Sequence, residues 1–196
     1  MFLKNKIFLF FFVFTIFFFH KVCLANTQKI NDIVDYLSSL KFFSSSFIQD
    51  DRETLSEGKI FVGEKRIRVD YTKPSKILII LDKDKAMYYN YDLDEDEFFN
   101  PKDTNAWFFF DIFKEPNFFL ESLVVSKNNN LLLTKTGENE IGSYKLKIYF
   151  ENKPLILRKI ELEINDTFLN LSIFDHKFNE EYDENFFKLI NPTFFN

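Results

Sequence analysis

The clearest pattern in the sequence is an alternation of apolar and polar residues over residues 58–74. Because successive side chains of a strand point to opposite faces, this stretch predicts two antiparallel strands joined by a turn at residues 63–65. One face of the hairpin is charged, and the other is apolar, carrying Ile60, Val62, Ile67, Val69 and Tyr71. Such a hairpin can form one wall of a barrel or half-barrel. Its apolar face then either packs against a core or lines a pocket.

The same alternation recurs along the rest of the chain and predicts about ten or eleven strands. The connections between them are short, which favours antiparallel neighbours. Apolar residues at helical spacing over 27–40 predict an amphipathic helix before the first strand. The other strands are predicted at residues 42–50, 75–81, 86–91, 98–99, 122–126, 130–134, 144–150, 157–164 and 168–174. The pattern therefore indicates a mainly β protein with helices, of the α+β class.

A second helix is predicted over residues 105–113, after Asp103 or Thr104 as a possible N-cap. It is apolar almost all round and includes Trp107, Phe110 and Phe113. A helix that is apolar on every side has to be buried on every side. We therefore expect this helix to be covered by the sheet.

The first 25 residues have the features of a secretory signal peptide. A basic start at Lys4 and Lys6 precedes an apolar run over residues 7–19, and the small residue Ala25 offers a cleavage point. The run is shorter than the roughly 20 residues of a membrane-spanning helix, so an uncleaved anchor is the less favoured alternative. We expect cleavage after Ala25 and a single mature domain over residues 26–196.

Cys23 precedes the predicted cleavage site, but His20, Lys21 and Val22 are bulky or charged where a lipid-attachment signal has small residues. The sequence therefore predicts an exported protein without a lipid anchor. No cysteine follows Cys23, so the mature chain can form no disulfide.

Removing the predicted leader takes away three lysines and no acid, which changes the net charge from −5 to −8. An acidic balance argues against a nucleic-acid partner. The 29 phenylalanines and 8 tyrosines supply an unusually large aromatic surface, although a general bias toward Phe, Lys, Asn and Ile explains the excess equally well.

Candidate catalytic and metal-binding groups are few. His176 is the only histidine of the predicted mature chain, and we expect it at the surface, outside any metal or nucleophile set. Asp92, Asp94 and Asp96 have the alternate spacing of a calcium loop, but its glycine is absent, which favours a solvated connection. The sequence therefore predicts neither enzymatic activity nor a metal or cofactor.

Several short motifs occur in an order and spacing that can be compared with a known family. The matching stretches are Phe47–Gln49 (F-x-Q), residues 58–62 (G-x-[LF]-[WY]-[VI]), Arg68–Tyr71 (R-[FW]-x-Y), Pro74, residues 79–91 and the helix at 107–113. Together they resemble the outer-membrane lipoprotein carrier (LolA) family. The resemblance covers residues 27–116 by motif and the remainder by strand pattern.

The resemblance implies an unclosed antiparallel barrel with a lid helix over an apolar cavity. Such a protein receives the acyl chains of lipoproteins from an inner-membrane lipoprotein-releasing transporter and passes them, in the periplasm, to an outer-membrane receptor. We expect a monomeric carrier whose cavity is lined by Ile60, Val62, Ile67, Val69, Tyr71, Tyr89, Trp107, Phe110 and Phe113.

The hairpin turn departs from the family pattern. The family usually has Lys-Arg-Pro there, with the arginine tied to a lid-closing contact, whereas this chain has Gly63-Glu64-Lys65. Lys65 and Arg66 are the candidates for that lid contact.

Two other functions stay open at this stage. A lipid-binding sensor or regulatory module can use the same half-barrel, and an enzyme acting on acyl chains is a third possibility. The absence of a recognisable nucleophile and base disfavours the enzyme.

Overall fold

The computed structural model describes residues 26–183 and 185–195. The predicted signal peptide therefore lies outside the described residues. Eleven strands form one antiparallel sheet in the order β6-β5-β4-β3-β2-β1-β11-β10-β9-β8-β7. The sheet is not closed, since β6 and β7 are its two edges. The predicted fold class, an unclosed half-barrel with helices, is confirmed.

All the predicted strands are present, but some are longer than predicted. The strands are β1 Phe43–Asp50, β2 Leu55–Val62, β3 Ile67–Lys73, β4 Ile77–Leu81, β5 Ala86–Asn90, β6 Glu95–Phe99, β7 Leu123–Lys127, β8 Asn130–Glu138, β9 Ser143–Glu151, β10 Ile156–Ile164 and β11 Thr167–Lys177. Strand β6, predicted at 98–99, begins at Glu95 and so includes Asp96 of the acidic run that was predicted as a connection, and β8 extends to Glu138.

The apolar residues predicted to share one face of the β2–β3 hairpin do so. Val62 pairs with Ile67, and Ile60 pairs with Val69. The turn is one residue longer than predicted, because the amide of Gly63 donates to the carbonyl of Arg66 at 2.9 Å.

Helix α1 spans residues 26–39 in the described part of the chain, and α2 spans Ala106–Lys114. The N-cap of α2 is Asn105 and not Asp103 or Thr104, and its side chain makes no capping hydrogen bond. The hydroxyl of Thr104, one residue earlier, accepts a hydrogen bond from the amide of Ala106 at 3.2 Å. Short 3-10 helices flank α2 at Pro101–Asp103 and Pro116–Phe119. No helix in the described residues is long and apolar enough to cross a membrane.

Both helices pack on one face of the sheet, called here the inner face. The apolar stripe of α1, including Ile33 and Leu37, joins the main core together with Phe108 and Ile112 of α2. The hydroxyl of Tyr36 on α1 also accepts a hydrogen bond from the amide of Leu157 at 3.0 Å. The helices therefore hold the inner face, and the opposite, outer face is left to other parts of the chain.

Residues 178–195, called here the tail, cross the outer face of β2 to β6. Arg66 and Arg68 donate to the carbonyls of Phe187 and Phe186 at 3.1 and 3.0 Å. Further along, Leu189 packs on a second cluster of outer-face residues, formed by Leu78, Ile80, Met87 and Tyr89. The sequence pattern predicted no element here. In the described residues 178–183 and 185–195, the tail has irregular backbone, turns and one short 3-10 helix, Pro192–Phe195.

Candidate binding cavity

The inner face of β1 to β6 is built from transverse rows of paired residues. The first row is fully packed on its β1–β5 side and consists of Phe43, Val62, Ile67, Leu81, Ala86 and Phe99. The next row consists of Ser45, Ile60, Val69, Ile79, Tyr88 and Glu97. Burial falls along this second row, from nearly complete at Ile60 to exposed at Glu97. The sheet therefore leaves space beside the second row.

That space is a cavity of about 480 Å³ between the inner face and the beginning of α2. Ligand sites in proteins are usually apolar clefts of about 300–1,000 Å³, so this volume suits a small ligand or part of a larger one. The lining residues are Phe47, Gln49, Ile60, Val69, Tyr71, Ile79, Leu81, Tyr88, Glu97, Phe99, Thr104, Asn105, Ala106, Phe109, Leu169 and Leu171.

A small number of polar groups interrupt the apolar lining. The Tyr71 hydroxyl donates to Oε1 of Gln49 at 2.9 Å. Burial of this phenol, together with the charge of Asp51, raises the pKa of Tyr71 to about 12. Tyr71 therefore stays neutral at physiological pH and serves the cavity as a hydrogen-bonding group.

Of the five hairpin residues predicted to line the cavity, Ile60, Val69 and Tyr71 lie on its wall. Val62 and Ile67 lie on the same face but one row further on, and both side chains are fully buried in the core. The predicted face is therefore right, and α2 fills the part of it next to the turn.

Tyr89 is not on the cavity wall, which corrects the prediction. Its side chain belongs to the outer-face cluster, and its hydroxyl donates to Asp94 at 2.7 Å. The neighbouring Tyr88 lines the cavity instead. The prediction failed by one residue, and a shift of one residue along a strand moves a side chain to the opposite face.

The residues of α2 that were predicted to line the cavity, Trp107, Phe110 and Phe113, are not on its wall, because the helix turns a different side toward the cavity. Ala106 and Phe109, three residues apart and so on one helix face, line the cavity. Phe113 stacks on Phe43 in the core with ring centroids 6.4 Å apart, and Phe110 is buried there too. Trp107 is half-buried against Phe108 and Phe118.

The hairpin turn does contact α2, but the cation comes from the helix. Lys114, the last residue of α2, donates to the carbonyls of Gly63 and Glu64. Burial and the nearby charge of Lys41 lower the pKa of Lys114 to about 8. The two residues predicted for the lid contact are placed differently. Lys65 is exposed, and Arg66 pairs with Asp82 at 2.7 Å.

The turn between β4 and β5 holds both ends of α2. Lys83 pairs with Glu115 at 3.0 Å, just beyond the helix. Asp84 pairs with Lys102 at 2.6 Å, just before it. All four side chains are largely exposed, and ion pairs between exposed side chains contribute little to stability. The ends of α2 are therefore held weakly, whereas its inner side is firmly packed.

Several lining residues were not predicted from the sequence. Leu169 and Leu171 come from β11, which lies beside β1 although the two strands are far apart in the chain. The alternation within β11 shows which of its residues share a face, but not that β11 pairs with β1. Phe47 and Gln49 belong to the F-x-Q motif, and their spacing of two already placed them on one face.

His176 is half-buried, which corrects the expectation of a surface residue. Its Nδ1 lies 2.8 Å from the Ser45 hydroxyl, and its Nε2 lies 2.8 Å from the carbonyl of Leu157. Desolvation lowers the pKa of His176. Ser45 is only 2% exposed, so its hydroxyl is closed to a substrate, and the pair joins β1, β10 and β11. Among the described residues, no group of three or more His, Cys, Asp or Glu side chains could hold a metal.

Comparisons with known proteins bear on the fold alone. No family model matches the sequence, and no curated protein matches it. Among solved structures, the chain is similar to an uncharacterized conserved protein from Thermus thermophilus, with a TM-score of 0.51 and 11% identity. The match covers 79% of this chain and 88% of the other. It supports the half-barrel architecture.

Proposed function

We propose that this chain is a periplasmic carrier that binds the acyl chains of lipoproteins and moves them from the inner to the outer membrane. The observation that carries the proposal is the apolar cavity of about 480 Å³ between the inner face of the sheet and α2. The motifs that resemble the lipoprotein carrier family lie in the strands that form this wall. An inner-membrane releasing transporter and an outer-membrane receptor are the partners that this function requires.

The energetics of acyl chains favour a cavity of this kind. Each methylene moved out of water is worth about 0.8 kcal/mol, so a carrier needs an enclosed apolar site more than a few surface contacts. Both sides of the cavity have an apolar wall. The sheet contributes Ile60, Val69 and Ile79, and α2 contributes Phe109. Neutral polar groups on the wall, such as the Tyr71–Gln49 pair, can orient a ligand through hydrogen bonds without burying a charge.

Release of the cargo requires the site to open, and α2 is the element that covers it. Ala106 and Phe109 at the beginning of α2 close the cavity on one side. The adjacent Lys102–Asp84 pair is exposed and therefore weak. We infer that the beginning of α2 moves away from the sheet to load and release acyl chains.

The binding part of the proposal is tested by purifying the protein from a periplasmic extract and identifying bound molecules by mass spectrometry. Lipoproteins, or their acylated N-terminal peptides, are expected. Recovery of free lipids alone would favour the lipid-binding sensor or regulatory module on the same half-barrel. Displacement of a bound dye by lipoprotein would support the carrier.

The lid part is tested by fixing the beginning of α2 to the β4–β5 turn. Asp84→Cys and Lys102→Cys, joined by a short bismaleimide, replace the ion pair with a covalent link. The linked protein should lose lipoprotein uptake, and the same double variant without the cross-linker should keep it. A linked pair at Lys147 and Glu161, on the outer face of β9 and β10, is the control. Normal uptake by the protein linked at residues 84 and 102 would contradict a moving lid.

A further inference from the structure

The inner face becomes polar toward the edge strand β6. In the second row, the aliphatic pair Val69 and Ile79 is followed by Tyr88 on β5 and Glu97 on β6. Tyr88 and Glu97 both line the cavity, and Glu97 is exposed. The side chains at this edge therefore form a polar mouth, while the aliphatic interior extends toward β1 and β11.

Tyr88 and Glu97 offer complementary hydrogen-bonding roles at this mouth. The Tyr88 hydroxyl accepts a hydrogen bond from Nδ2 of Asn90 at 3.3 Å, so its own proton can be donated to a ligand. The carboxylate of Glu97 only accepts hydrogen bonds. A head group that fits both side chains has a carbonyl oxygen for Tyr88 and an N–H or O–H for Glu97.

The electrostatic surroundings of the mouth are negative. Residues 92–97 contain five acidic side chains, and within the described part of the chain no ion pair joins any of them to a lysine or arginine. Asp94 and Asp96 are instead bonded to the neutral groups of Tyr89 and Asn191. The nearby ammonium of Lys85 lies over the ring of Phe98, 4.3 Å from its centroid. A negatively charged head group would therefore meet the carboxylate of Glu97, which no ion pair neutralises.

We propose that this mouth makes the cavity selective for acyl chains attached by an ester or amide to a neutral or cationic head group, and that it rejects free fatty acids. The selectivity rests on the proposed acyl-chain binding, which it narrows to one class of ligand. Glu97 is the discriminating residue, and Tyr88 positions the carbonyl of the linkage. A free carboxylate has no proton to donate and places a second negative charge beside Glu97.

The test uses three amphiphiles with the same twelve-carbon chain length but different heads. Laurate is anionic, monolaurin is a neutral ester with hydroxyl donors, and dodecylammonium is cationic. Displacement of an environment-sensitive dye from the full mature chain measures each affinity at low salt. Monolaurin and dodecylammonium should bind about five- to tenfold more tightly than laurate, and added salt should reduce the difference.

Glu97→Gln keeps the shape of the side chain and removes its charge. The variant should bind laurate more tightly and dodecylammonium more weakly, with monolaurin changed less than twofold. A folding defect would weaken all three together, so opposite shifts identify the charge. Asp96→Asn is the matched control, because it removes a charge from the adjacent residue, whose carboxylate bonds to Asn191 of the tail, and it should leave the ratios unchanged.

The outcomes separate the selectivity from the underlying function. Equal affinities for the three amphiphiles in the parent protein would overturn the selectivity and leave acyl-chain binding intact. Equal shifts in Glu97→Gln and Asp96→Asn would assign the effect to net charge and would also overturn it. If none of the three displaced the dye, both the selectivity and the proposed acyl-chain binding would fail.

Discussion

The two halves of the sheet are covered on opposite sides. In the half formed by β8 to β10, called here the packed half, inner-face residues such as Leu133, Leu146 and Ile148 are completely buried beneath the helices. In the half formed by β2 to β6, called here the hollow half, Val69 and Ile79 are only partly buried because they face the cavity. One continuous sheet therefore has a filled inner face at one end and a partly open one at the other.

The outer faces show the reverse arrangement. In the packed half the outer face is polar, with Lys147 and Tyr149 both contacting Glu161, at 3.3 and 2.9 Å. In the hollow half, the outer face of β4 and β5 carries an apolar cluster, and Leu189 of the tail packs on it. In the hollow half, the cavity reduces the apolar area buried on the inner face. Packing of the tail buries apolar area on the outer face instead. This arrangement keeps a binding site open without leaving its strands unsupported.

The largest expected effect comes from truncating one isoleucine in each half. Ile148→Ala removes a fully buried side chain from the packed half and should destabilise the protein by about 2–5 kcal/mol. Ile79→Ala, on the cavity wall, should cost about 1 kcal/mol, because one side of that residue already lacks packing partners. Urea unfolding of both variants measures the difference. Equal losses would mean that the cavity is closed in solution.

The tail supplies the next largest effect. Phe186 contacts Phe61 and Tyr182 and lies beneath the guanidinium of Arg68, 4.2 Å from its ring centroid. Phe186→Ala should destabilise the protein by about 1–3 kcal/mol. Phe194→Ala is the matched control in the same tail, because Phe194 is 78% exposed and its loss should change little. Similar midpoints of thermal unfolding for the two variants would refute a supporting role for the tail.

A pH dependence is expected from Asp111 on α2, the helix that bridges the two halves. Desolvation, assisted by the charge of Glu115, raises the pKa of Asp111 from 3.8 to about 7. The folded protein thus binds a proton more tightly than the unfolded chain, so the Asp111 contribution to stability is lost as pH rises from about 4 to about 7. Asp111→Asn should flatten the stability profile in this window, as measured by unfolding at several pH values. An unchanged slope would contradict the raised pKa.

The smallest stability effect is expected from the ion pairs at the ends of α2. Lys83→Gln and Lys102→Gln should each change stability only slightly, because exposed ion pairs are weak. Lys102→Gln should nevertheless speed hydrogen exchange of the first α2 amides, because the beginning of the proposed lid is then held less firmly, and Lys83→Gln should affect these amides less, since Lys83 contacts the other end of α2. Arg158→Gln breaks an exposed pair with Glu151 in the packed half and should leave those amides unchanged. Equal hydrogen-exchange rates in all three variants would show that the contacts of the β4–β5 turn do not hold the proposed lid closed.

Local sequence patterns predicted much of the structure of the two halves. Alternation placed the strands and the apolar face of the β2–β3 hairpin correctly, because period two is set by the backbone itself. Alternation could not distinguish Tyr88 from Tyr89 as the inward residue, since both are aromatic and their strand is apolar on both faces. The rotation of α2 was equally hidden, because a helix that is apolar all round carries no signal for its inward side.

The tail and the contribution of β11 lay beyond any local pattern. The tail has no regular period, and its contacts with Arg66 and Arg68 join residues more than 100 positions apart. The pairing of Phe47 with Ile173 is similarly distant. Such contacts join residues that are distant in the chain, so no local sequence pattern predicts them.

The central position of β1 and β11 also sets the order in which the binding site can form. The cavity wall includes Phe47 from the first strand and Leu171 from the last. Pairing of distant segments closes a long loop and is slow relative to the formation of the hairpins. A partly synthesised chain can therefore make hairpins but not the complete cavity. Under the proposed function, the site for an acyl chain would exist only after the first and last strands have paired, so cargo would bind late in folding.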